Sequence, residues 1–350
     1  MSNFEVYAAA PFIDEETKVV VEEIGAICIS NQFERTGLNP IKDLIAYLSF
    51  RRKIKELAPD FVMAYTIKPV IFGLMASKFK GVKRFALITG KGSGFDRTTV
   101  KAKLVRAVVK YLYKRTLSSV DGIIFQNDDD QEFFQRERIL KRYSNSTVIK
   151  GTGVDLDYYR SNENQKTGDL VKFLFVARLI KEKGIPELLE ATKLLKEKYN
   201  NLEVQLLGWI DLNPGGISRS EIDEMHDSGI INYLGTTEDV RPYLNDADVF
   251  VLPSYYNEGL PRTIQEAMAM EKPIITTDHP GCRETVEEGR NGFLIPIRDS
   301  GALMRSMEYF IQQPKEIKRM GHESHLMAID KFDVHKINEQ LLKFMELDNV

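Results

Sequence analysis

Two glutamates on either side of a glycine turn are the residues of this sequence best suited to chemistry. Glu258 and Glu266 lie in the stretch EGLPRTIQE, directly after the apolar run Val249–Leu252. Pro261 suits the first turn of a helix, and the pattern predicts a helix over 261–271. At 1.5 Å of rise per residue the two carboxylates are roughly 12 Å apart. Paired glycosidase carboxylates are only about 5–9.5 Å apart, so these two side chains have separate tasks.

The same stretch predicts an anion site. A strand, a glycine turn and a helix N-terminus direct unpaired N–H groups and the positive end of the helix dipole out of a sheet. Glu266, further along the helix, is placed to accept a pair of vicinal ribose hydroxyls, as the acidic residue of dinucleotide folds does. Glu258, in the loop, would then face the group attached to the phosphate.

Two cations follow another predicted strand, in the segment VARLIKEKGIPEL. Arg178 leaves the strand end, and Lys183 comes five residues later, just before a helix. An arginine fork and a lysine point charge suit a diphosphate leaving group. The alternative, a solvated loop with ordinary charges, stays open on these residues alone.

Apolar runs of strand length alternate with helical patterns along most of the chain, which predicts a parallel α/β architecture. The predicted strands are FEVYAAA, AICIS, FVMAYT, RFALIT, GIIFQN and TVIKG in the first half, and KFLFVAR, EVQLLGW, INYLG, VFVLP, PIITT and GFLIP in the second. The polar stretch 160–169 is interpreted as a linker. We therefore expect one domain over 1–160, a second over 161–333 and, over 334–350, a C-terminal helix that returns to the first domain.

Composition excludes several classes of protein. The chain has 350 residues, is 43% hydrophobic and 28% charged, and contains two cysteines, which is typical of a globular protein in a reducing compartment. No apolar run approaches the ~20 residues of a membrane span. The histidines show no zinc spacing, and neither a Walker nor a Gly-x-Ser-x-Gly pattern occurs. We expect a cytoplasmic protein with no metal ion and no nucleic-acid partner.

The charge is distributed unevenly. Residues 1–160 carry 26 Lys and Arg against 19 Asp and Glu, whereas the remainder carries 22 against 32. Within the basic half, residues 101–115 predict an amphipathic helix with a basic face of Lys103, Arg106, Lys110 and Lys114 opposite an apolar face of Val105, Val108, Val109 and Leu112. Such a stripe could attract anionic lipid headgroups on the cytoplasmic face of a membrane. An ordinary helix with a solvated outer face is the alternative.

The spacing in EGLPRTIQE, together with VARLIKEKG, resembles the retaining glycosyltransferases of family 4, which have the GT-B fold of two Rossmann-like domains facing across a cleft. The resemblance implies transfer of a hexosyl or N-acetylhexosaminyl group from a UDP-sugar without a metal cofactor. It implies that Arg178, Lys183 and Glu258 act in catalysis. It implies donor contacts from Gly259, Leu260, Pro261, Thr263 and Glu266.

Two further segments fit this resemblance. YLGTTEDVRPYLNDAD is similar to the family's nucleobase loop, which places the backbone of Asp239 and Val240 at the base edge with Arg241 nearby. HPGCRETVEEGRNGFLIP resembles the glycine-then-glutamate turn beside the donor, although a simple strand-to-helix turn is an equal interpretation.

The first half resembles one subgroup, which includes transferases acting on undecaprenyl-diphosphate-linked sugars and capsule or O-antigen transferases. ERTGLNP, AYTIKP and ITGKGSGF carry this resemblance, which implies that Lys68, Lys91 and Ser93 line the acceptor side. A saccharide acceptor linked to undecaprenyl diphosphate is therefore expected. The family's opening strand and glycine loop have no counterpart before FEVYAAA. Two alternatives stay open: a truncated or non-catalytic protein that binds nucleotide-sugars, and a GT-B epimerase or phosphorylase.

Overall fold

The structure is a computed structural model that describes residues 4–31, 33, 39–91, 100–140, 144–161, 169–211 and 215–347. The chain forms two compact units. One consists of Met1–Val148 together with Gln340–Val350, and the other of Ile149–Glu339. The boundary after residue 148 lies before the one expected at residue 160, so the segment that precedes the polar linker belongs to the second unit.

The first unit alternates strands and helices, and every strand pair in it is parallel. The six strands predicted from its apolar runs all form. A π-helical turn, Pro69–Gly73, leads into the shortest helix. The strands are β1 Val6–Ala10, β2 Ala26–Ser30, β3 Phe61–Tyr65, β4 Lys83–Ile88, β5 Gly122–Phe125 and β6 Ser146–Val148, and the helices are α1 Glu15–Glu23, α2 Pro40–Leu57, α3 Leu74–Ala76, α4 Val100–Leu117 and α5 Asp128–Arg136.

These strands form two separate sheets. Strands β3, β4, β5 and β6 form one sheet in that order, whereas β1 and β2 pair with each other in a two-stranded sheet. Helix α1 buries none of its residues. Within the part of the unit that the structure describes, the core therefore lies around the four-stranded sheet, where Phe125, Phe134 and Tyr113 pack edge to face.

Helix α4 differs from its predicted division into faces. Val108, placed on the apolar face with the half-buried Val105, Val109 and Leu112, is 51% exposed, and Leu104 and Tyr111 are exposed beside it. Arg106 and Lys110, placed on the basic face, are half-buried, and Lys110 is paired with Glu137 at 2.8 Å. The predicted division into faces therefore holds only in part, because periodicity shows that a helix has two faces but not which residues its neighbours cover.

The second unit is built on a six-stranded parallel sheet with the order β12-β11-β10-β7-β8-β9. All six strands predicted from the sequence form. Helix α12 ends inside Gln340–Val350, the segment that groups with the first unit. The strands are β7 Val171–Val176, β8 Leu202–Leu207, β9 Asn232–Tyr233, β10 Val249–Leu252, β11 Ile274–Thr277 and β12 Gly292–Ile295, and the helices are α6 Ile185–Lys196, α7 Arg219–Asp227, α8 Arg241–Asp246, α9 Arg262–Ala269, α10 Ser300–Gln312, α11 Lys315–Lys331 and α12 Val334–Phe344.

The strand order locates the place where a ligand would bind. From β7 the chain proceeds through β8 and β9 in one direction across the sheet, and then through β10, β11 and β12 in the other. The order therefore reverses between β7 and β10. In open parallel sheets, ligands bind outside the carboxyl ends of the strands at such a switch point. Arg178 follows β7, and the loop that carries Glu258 follows β10.

None of the described helices has both the length and the apolar character that crossing a membrane requires.

Candidate functional site

Arg178 stands just beyond β7 and is held by two neighbours. Its Nη1 donates to Asp211 Oδ2 at 3.2 Å, and the guanidinium carbon lies 5.2 Å from the centre of the Tyr256 ring. About a fifth of the Arg178 side chain and a tenth of the Asp211 side chain are exposed. Salt screens such a shielded ion pair less than a surface pair. The attraction to Asp211 is therefore strong and holds the guanidinium in place.

Lys183 is buried beside the same tyrosine ring. It ends the short 3₁₀ turn Lys181–Lys183, and only 6% of it is exposed. Its Nζ donates to Glu258 Oε1 and lies 5.5 Å from the Tyr256 ring centre. Tyr256 thus brings the two predicted cations together. An ammonium buried in this way needs a carboxylate partner because a lone buried charge is strongly disfavoured.

A glycine sets the close approach of the Lys183 turn to β10. Gly184 has a φ of 81°, and a Cβ at that position would overlap the carbonyl oxygen of Pro253, just after β10. Only glycine combines this left-handed conformation with such close backbone contact. The turn that carries Lys183 is therefore packed directly against the strand that leads to Glu258.

The Glu258 loop is supported from the other side by the glycine turn predicted from HPGCRETV. Gly281 has a φ of 82°, and a Cβ there would overlap the carbonyl oxygen of Gly259. The next residue, Cys282, is fully buried, and burial raises the pKa of its thiol to about 11. It stays a thiol at neutral pH, so it is a structural residue of this turn.

Helix α9 begins one residue later than predicted. Pro261 is extended, with φ −60° and ψ 118°, and is the cap residue rather than part of the first turn. Ile264, Ala267 and Met268 are buried, as the pattern predicted. Gly259 and Leu260, just before the helix, are also buried, and Thr263 in its first turn is half-buried. The loop and the first turn of the helix thus form one packed element.

Glu266 lies on α9 with different partners from Glu258. Its Oε1 accepts from the Tyr159 hydroxyl at 2.9 Å and from Arg262 Nε at 3.0 Å. Burial raises the pKa of Glu266, and the two hydrogen bonds offset only part of that effect. The two carboxylates therefore occupy separate environments, one on the buried lysine and the other on a buried tyrosine.

The predicted nucleobase loop adjoins Tyr158, the neighbour of Tyr159. Asp239 accepts from Arg241 Nε and Nη2, both at 2.8 Å, and the Arg241 guanidinium holds the pKa of Asp239 below its usual range. The Arg241 guanidinium also stacks on Tyr158, 3.7 Å from the ring centre. Val240 precedes α8 as its cap. A continuous chain of contacts thus connects this loop to Glu266.

The acceptor-side residues predicted in the first unit have partners of their own. Lys68 forms a largely buried ion pair with Asp43 at 2.7 Å. Lys91 lies 5.1 Å from the ring centre of Phe133. Ser93 lies outside the described residues. Their role in acceptor binding stays a prediction.

Sequence reasoning missed three residues that the structure places at this site. Asp211 contacts Arg178, and the Tyr158–Tyr159 pair contacts the predicted nucleobase loop and Glu266. Tyr159 and Glu266 are 107 positions apart, so no local pattern connects them. The aromatic pair in GVDLDYY was the available signal, because neighbouring tyrosines after a strand-like segment are suited to amphipathic contacts.

Residues 160–326 match the family described as Glycosyl transferases group 1, and residues 12–127 match the family described as Glycosyl transferase 4-like. A relative from Campylobacter jejuni, N,N'-diacetylbacillosaminyl-diphospho-undecaprenol alpha-1,3-N-acetylgalactosaminyltransferase, is 30% identical over 98% of this chain and 91% of its own length. UDP-Gal:alpha-D-GlcNAc-diphosphoundecaprenol alpha-1,3-galactosyltransferase from Escherichia coli is 27% identical over 86% of this chain and 78% of its own length.

Among solved structures, Anabaena HepE in complex with UDP and glucose is similar, with a TM-score of 0.77 at 21% identity, covering 96% of this chain and 90% of that one. At that identity the likeness supports the fold alone. The two parallel α/β units are those of the GT-B fold. The chain belongs to the group 1, family 4-like glycosyltransferases and is a glycosyltransferase.

Proposed function

We propose that this glycosyltransferase moves a hexosyl or N-acetylhexosaminyl group from a UDP-sugar to a saccharide linked to undecaprenyl diphosphate, with retention of configuration. The observation that carries the proposal is the placement of Arg178 and Lys183 against one ring, Tyr256, at the switch point of the sheet. The names of the two bacterial transferases support the lipid-linked acceptor, and the E. coli name supports a UDP-sugar donor.

The two cations suit the charge that develops when the glycosidic bond breaks. The departing β-phosphate gains negative charge in the transition state, and preorganised donors aimed at such charge usually make the largest catalytic contribution. Arg178 supplies a fork and Lys183 a point charge, and the N–H groups near Gly259 and Leu260 add a third source of positive potential. With these groups on the leaving group, we propose that the transfer needs no metal ion.

The two glutamates would hold different parts of the donor. Glu258, bonded to the buried lysine, would orient hydroxyls of the sugar, and Glu266 would accept the vicinal hydroxyls of the ribose. Because Glu258 is already engaged by Lys183, it is poorly placed as a nucleophile. We propose that the bond between the anomeric carbon and the β-phosphate oxygen breaks first, which gives an ion pair resembling an oxocarbenium ion. The acceptor oxygen then bonds to the anomeric carbon on the face that the leaving group vacates, and the acceptor's proton passes to the departing β-phosphate.

The direct test is transfer to a synthetic acceptor. The purified protein would be incubated with UDP-GalNAc, UDP-GlcNAc, UDP-Gal or UDP-Glc and a short-chain polyprenyl-diphosphate sugar. We expect one donor to give a disaccharide whose new linkage is α by NMR, since the donors are α-linked. A β-linked product would contradict retention. Isomerised UDP-sugar without transfer would favour the epimerase alternative, and binding without turnover would favour the non-catalytic one.

Glu266 should make UDP affinity depend on pH. Burial raises its pKa, and an ionised carboxylate accepts ribose hydroxyls better than a protonated one. As pH falls through that raised pKa, the carboxyl group takes up a proton, and UDP affinity should fall. Titration calorimetry of the wild type and Glu266→Gln from neutral to mildly acidic pH would measure this. The titration of UDP itself is common to both proteins, so equal slopes in the two would contradict the assignment.

We also propose that α4 contacts an anionic membrane surface. Leu104, Val108 and Tyr111 are 68%, 51% and 63% exposed along one side of the helix, and Lys103 and Lys114 are exposed beside them. Apolar side chains flanked by lysines are typical of helices that lie in the interface of a bilayer. Each cation near anionic lipid is worth about 1 kcal/mol.

Vesicle binding tests this contact. Replacing Lys103 and Lys114 by glutamine should weaken sedimentation with phosphatidylglycerol vesicles roughly 30-fold, which corresponds to two cations at about 1 kcal/mol each. The matched control replaces Lys315 and Lys318, two exposed lysines of α11, and should change little. Equal losses in both variants would indicate a general charge effect and would contradict a role for α4.

A further inference from the structure

Tyr159 is a buried tyrosine whose hydroxyl has a defined partner at the donor site. Only 8% of the residue is exposed, and its hydroxyl donates to Glu266 Oε1 at 2.9 Å. A phenylalanine would fill the same space without that bond. A buried tyrosine hydroxyl usually needs a hydrogen-bond partner. The contact with the Glu266 carboxylate therefore explains why a tyrosine fits this position.

The hydrogen bonds to Glu266 leave one of its oxygens available. Tyr159 and Arg262 both donate to Oε1. Within the described residues, Oε2 receives no hydrogen bond from the protein, although 9% of the side chain is exposed. Two donors on one oxygen restrict rotation of the carboxylate about the Cγ–Cδ bond of Glu266. The second oxygen is then presented in a fixed direction to a ligand.

Of the two donors, Tyr159 holds the carboxylate more firmly. The Arg262 side chain is 64% exposed, and a surface pair of this i,i+4 kind contributes only about 0.3–0.5 kcal/mol. Tyr159 is fixed by its own surroundings. Its N–H donates to the Asp155 carbonyl at 2.9 Å, and its ring meets Tyr158 edge to face at 5.1 Å.

The segment that carries Tyr159 is itself anchored to the second unit. Asp155 Oδ1 accepts the N–H groups of Asp157 and Tyr158, each at 2.9 Å. Just before it, Val154 N–H donates to the Phe332 carbonyl at 2.8 Å. The ring therefore has little freedom to follow a moving carboxylate, and it is the carboxylate whose orientation depends on the tyrosine.

We infer that Tyr159 is a positioning residue of the donor site, whose hydroxyl holds Glu266 Oε1 so that Oε2 accepts the vicinal hydroxyls of the donor ribose. This inference rests on the proposed function, since it assumes that Glu266 binds ribose. It assigns a task to a residue outside the EGLPRTIQE stretch. Tyr158 and Arg241 extend the same group of contacts toward the nucleobase loop.

The test compares ligands with and without ribose hydroxyls. In Tyr159→Phe, the affinity for UDP should fall about three- to tenfold, the range of one net hydrogen bond. The affinity for 2',3'-dideoxy-UDP should stay unchanged, because that ligand offers Glu266 nothing to bind. In turnover assays KM for the UDP-sugar should rise with little change in kcat, since the ribose is remote from the reacting carbon.

A matched control removes a hydroxyl from another buried tyrosine. Tyr113 is 2% exposed and packs against Phe134 in the first unit, so Tyr113→Phe tests for a general effect of the deletion. It should leave the preference for UDP over the dideoxy ligand intact. Thermal unfolding of both variants would show that each is folded, as the retained rings lead us to expect.

The outcomes separate the inference from the function on which it rests. If the wild type prefers UDP and Tyr159→Phe keeps the full preference, the inference is overturned while the proposed function stands. If the wild type binds UDP and the dideoxy ligand equally, Glu266 does not bind the ribose hydroxyls. The proposed ribose contact and the inference about Tyr159 are then both contradicted. A preference lost in Tyr159→Phe but kept in Tyr113→Phe supports the inference.

Discussion

Replacing Lys183 by alanine should lower kcat about 100- to 1000-fold, the cost of removing one preorganised donor from a developing oxyanion. Lys183 is 6% exposed, and its ammonium has Glu258 and the Tyr256 ring as neighbours. In so dry a position its charge acts at low effective dielectric, where it stabilises a departing diphosphate far more than a solvated lysine would. Arg178→Ala should have an effect of the same order.

The control for this experiment lies two residues away. Lys181 opens the same 3₁₀ turn but is exposed, so Lys181→Ala removes an equal charge from nearly the same place. We expect its kcat to stay close to that of the wild type. Turnover would be measured with the donor and acceptor identified by the transfer assay.

Stability must be measured beside activity, because the substitution leaves Glu258 without its lysine. An uncompensated buried charge is destabilising, although 24% of the Glu258 side chain is exposed and water can partly compensate. A thermal unfolding curve would show whether the variant is folded at the assay temperature. Near-wild-type turnover in Arg178→Ala/Lys183→Ala would exclude these cations from catalysis.

Gly281→Ala should weaken donor binding and reduce activity by about 100-fold or more. A methyl group there would overlap the carbonyl oxygen of Gly259 and come 3.2 Å from that of Glu258, so the loop must move. A displacement of about 1 Å in a catalytic constellation can cost 100-fold in rate. In our proposal Gly281 contacts neither the donor nor the acceptor. A loss of activity would therefore show that the position of the Glu258 loop matters.

Gly289 provides a nearly ideal control for Gly281. It lies in the same segment with a φ of 71°, but a Cβ there would meet nothing within 4 Å. Gly289→Ala therefore costs only the strain of a left-handed alanine, about 1–2 kcal/mol, and should keep full activity. Comparing the two variants by UDP calorimetry and thermal unfolding separates the backbone strain, which both alanines cause, from the steric overlap with Gly259, which only Gly281→Ala causes. Equal activity in both would contradict the packing described for this loop.

Much of the fold follows from local sequence. All twelve strands were predicted because each is a short apolar run bounded by polar or turn residues, and such a signal needs no knowledge of the neighbours. The buried face of α9 was likewise readable from its 3.6-residue period. That Glu258 and Glu266 have separate tasks stays a prediction from their spacing, and the structure gives the two carboxylates different partners.

Other features needed the tertiary structure. The face of α4 that meets solvent depends on what packs against the helix, so the sequence did not predict that Val108 is exposed. The bond between Tyr159 and Glu266 joins residues 107 positions apart, and the Arg178–Asp211 pair joins residues 33 apart. Residue types and spacing determined which chemistry this chain offers, because periodicity and turn formation act over a few residues. Which partner fixes each charged side chain was decided only by folding, because burial and ion pairing depend on neighbours that chain connectivity does not specify.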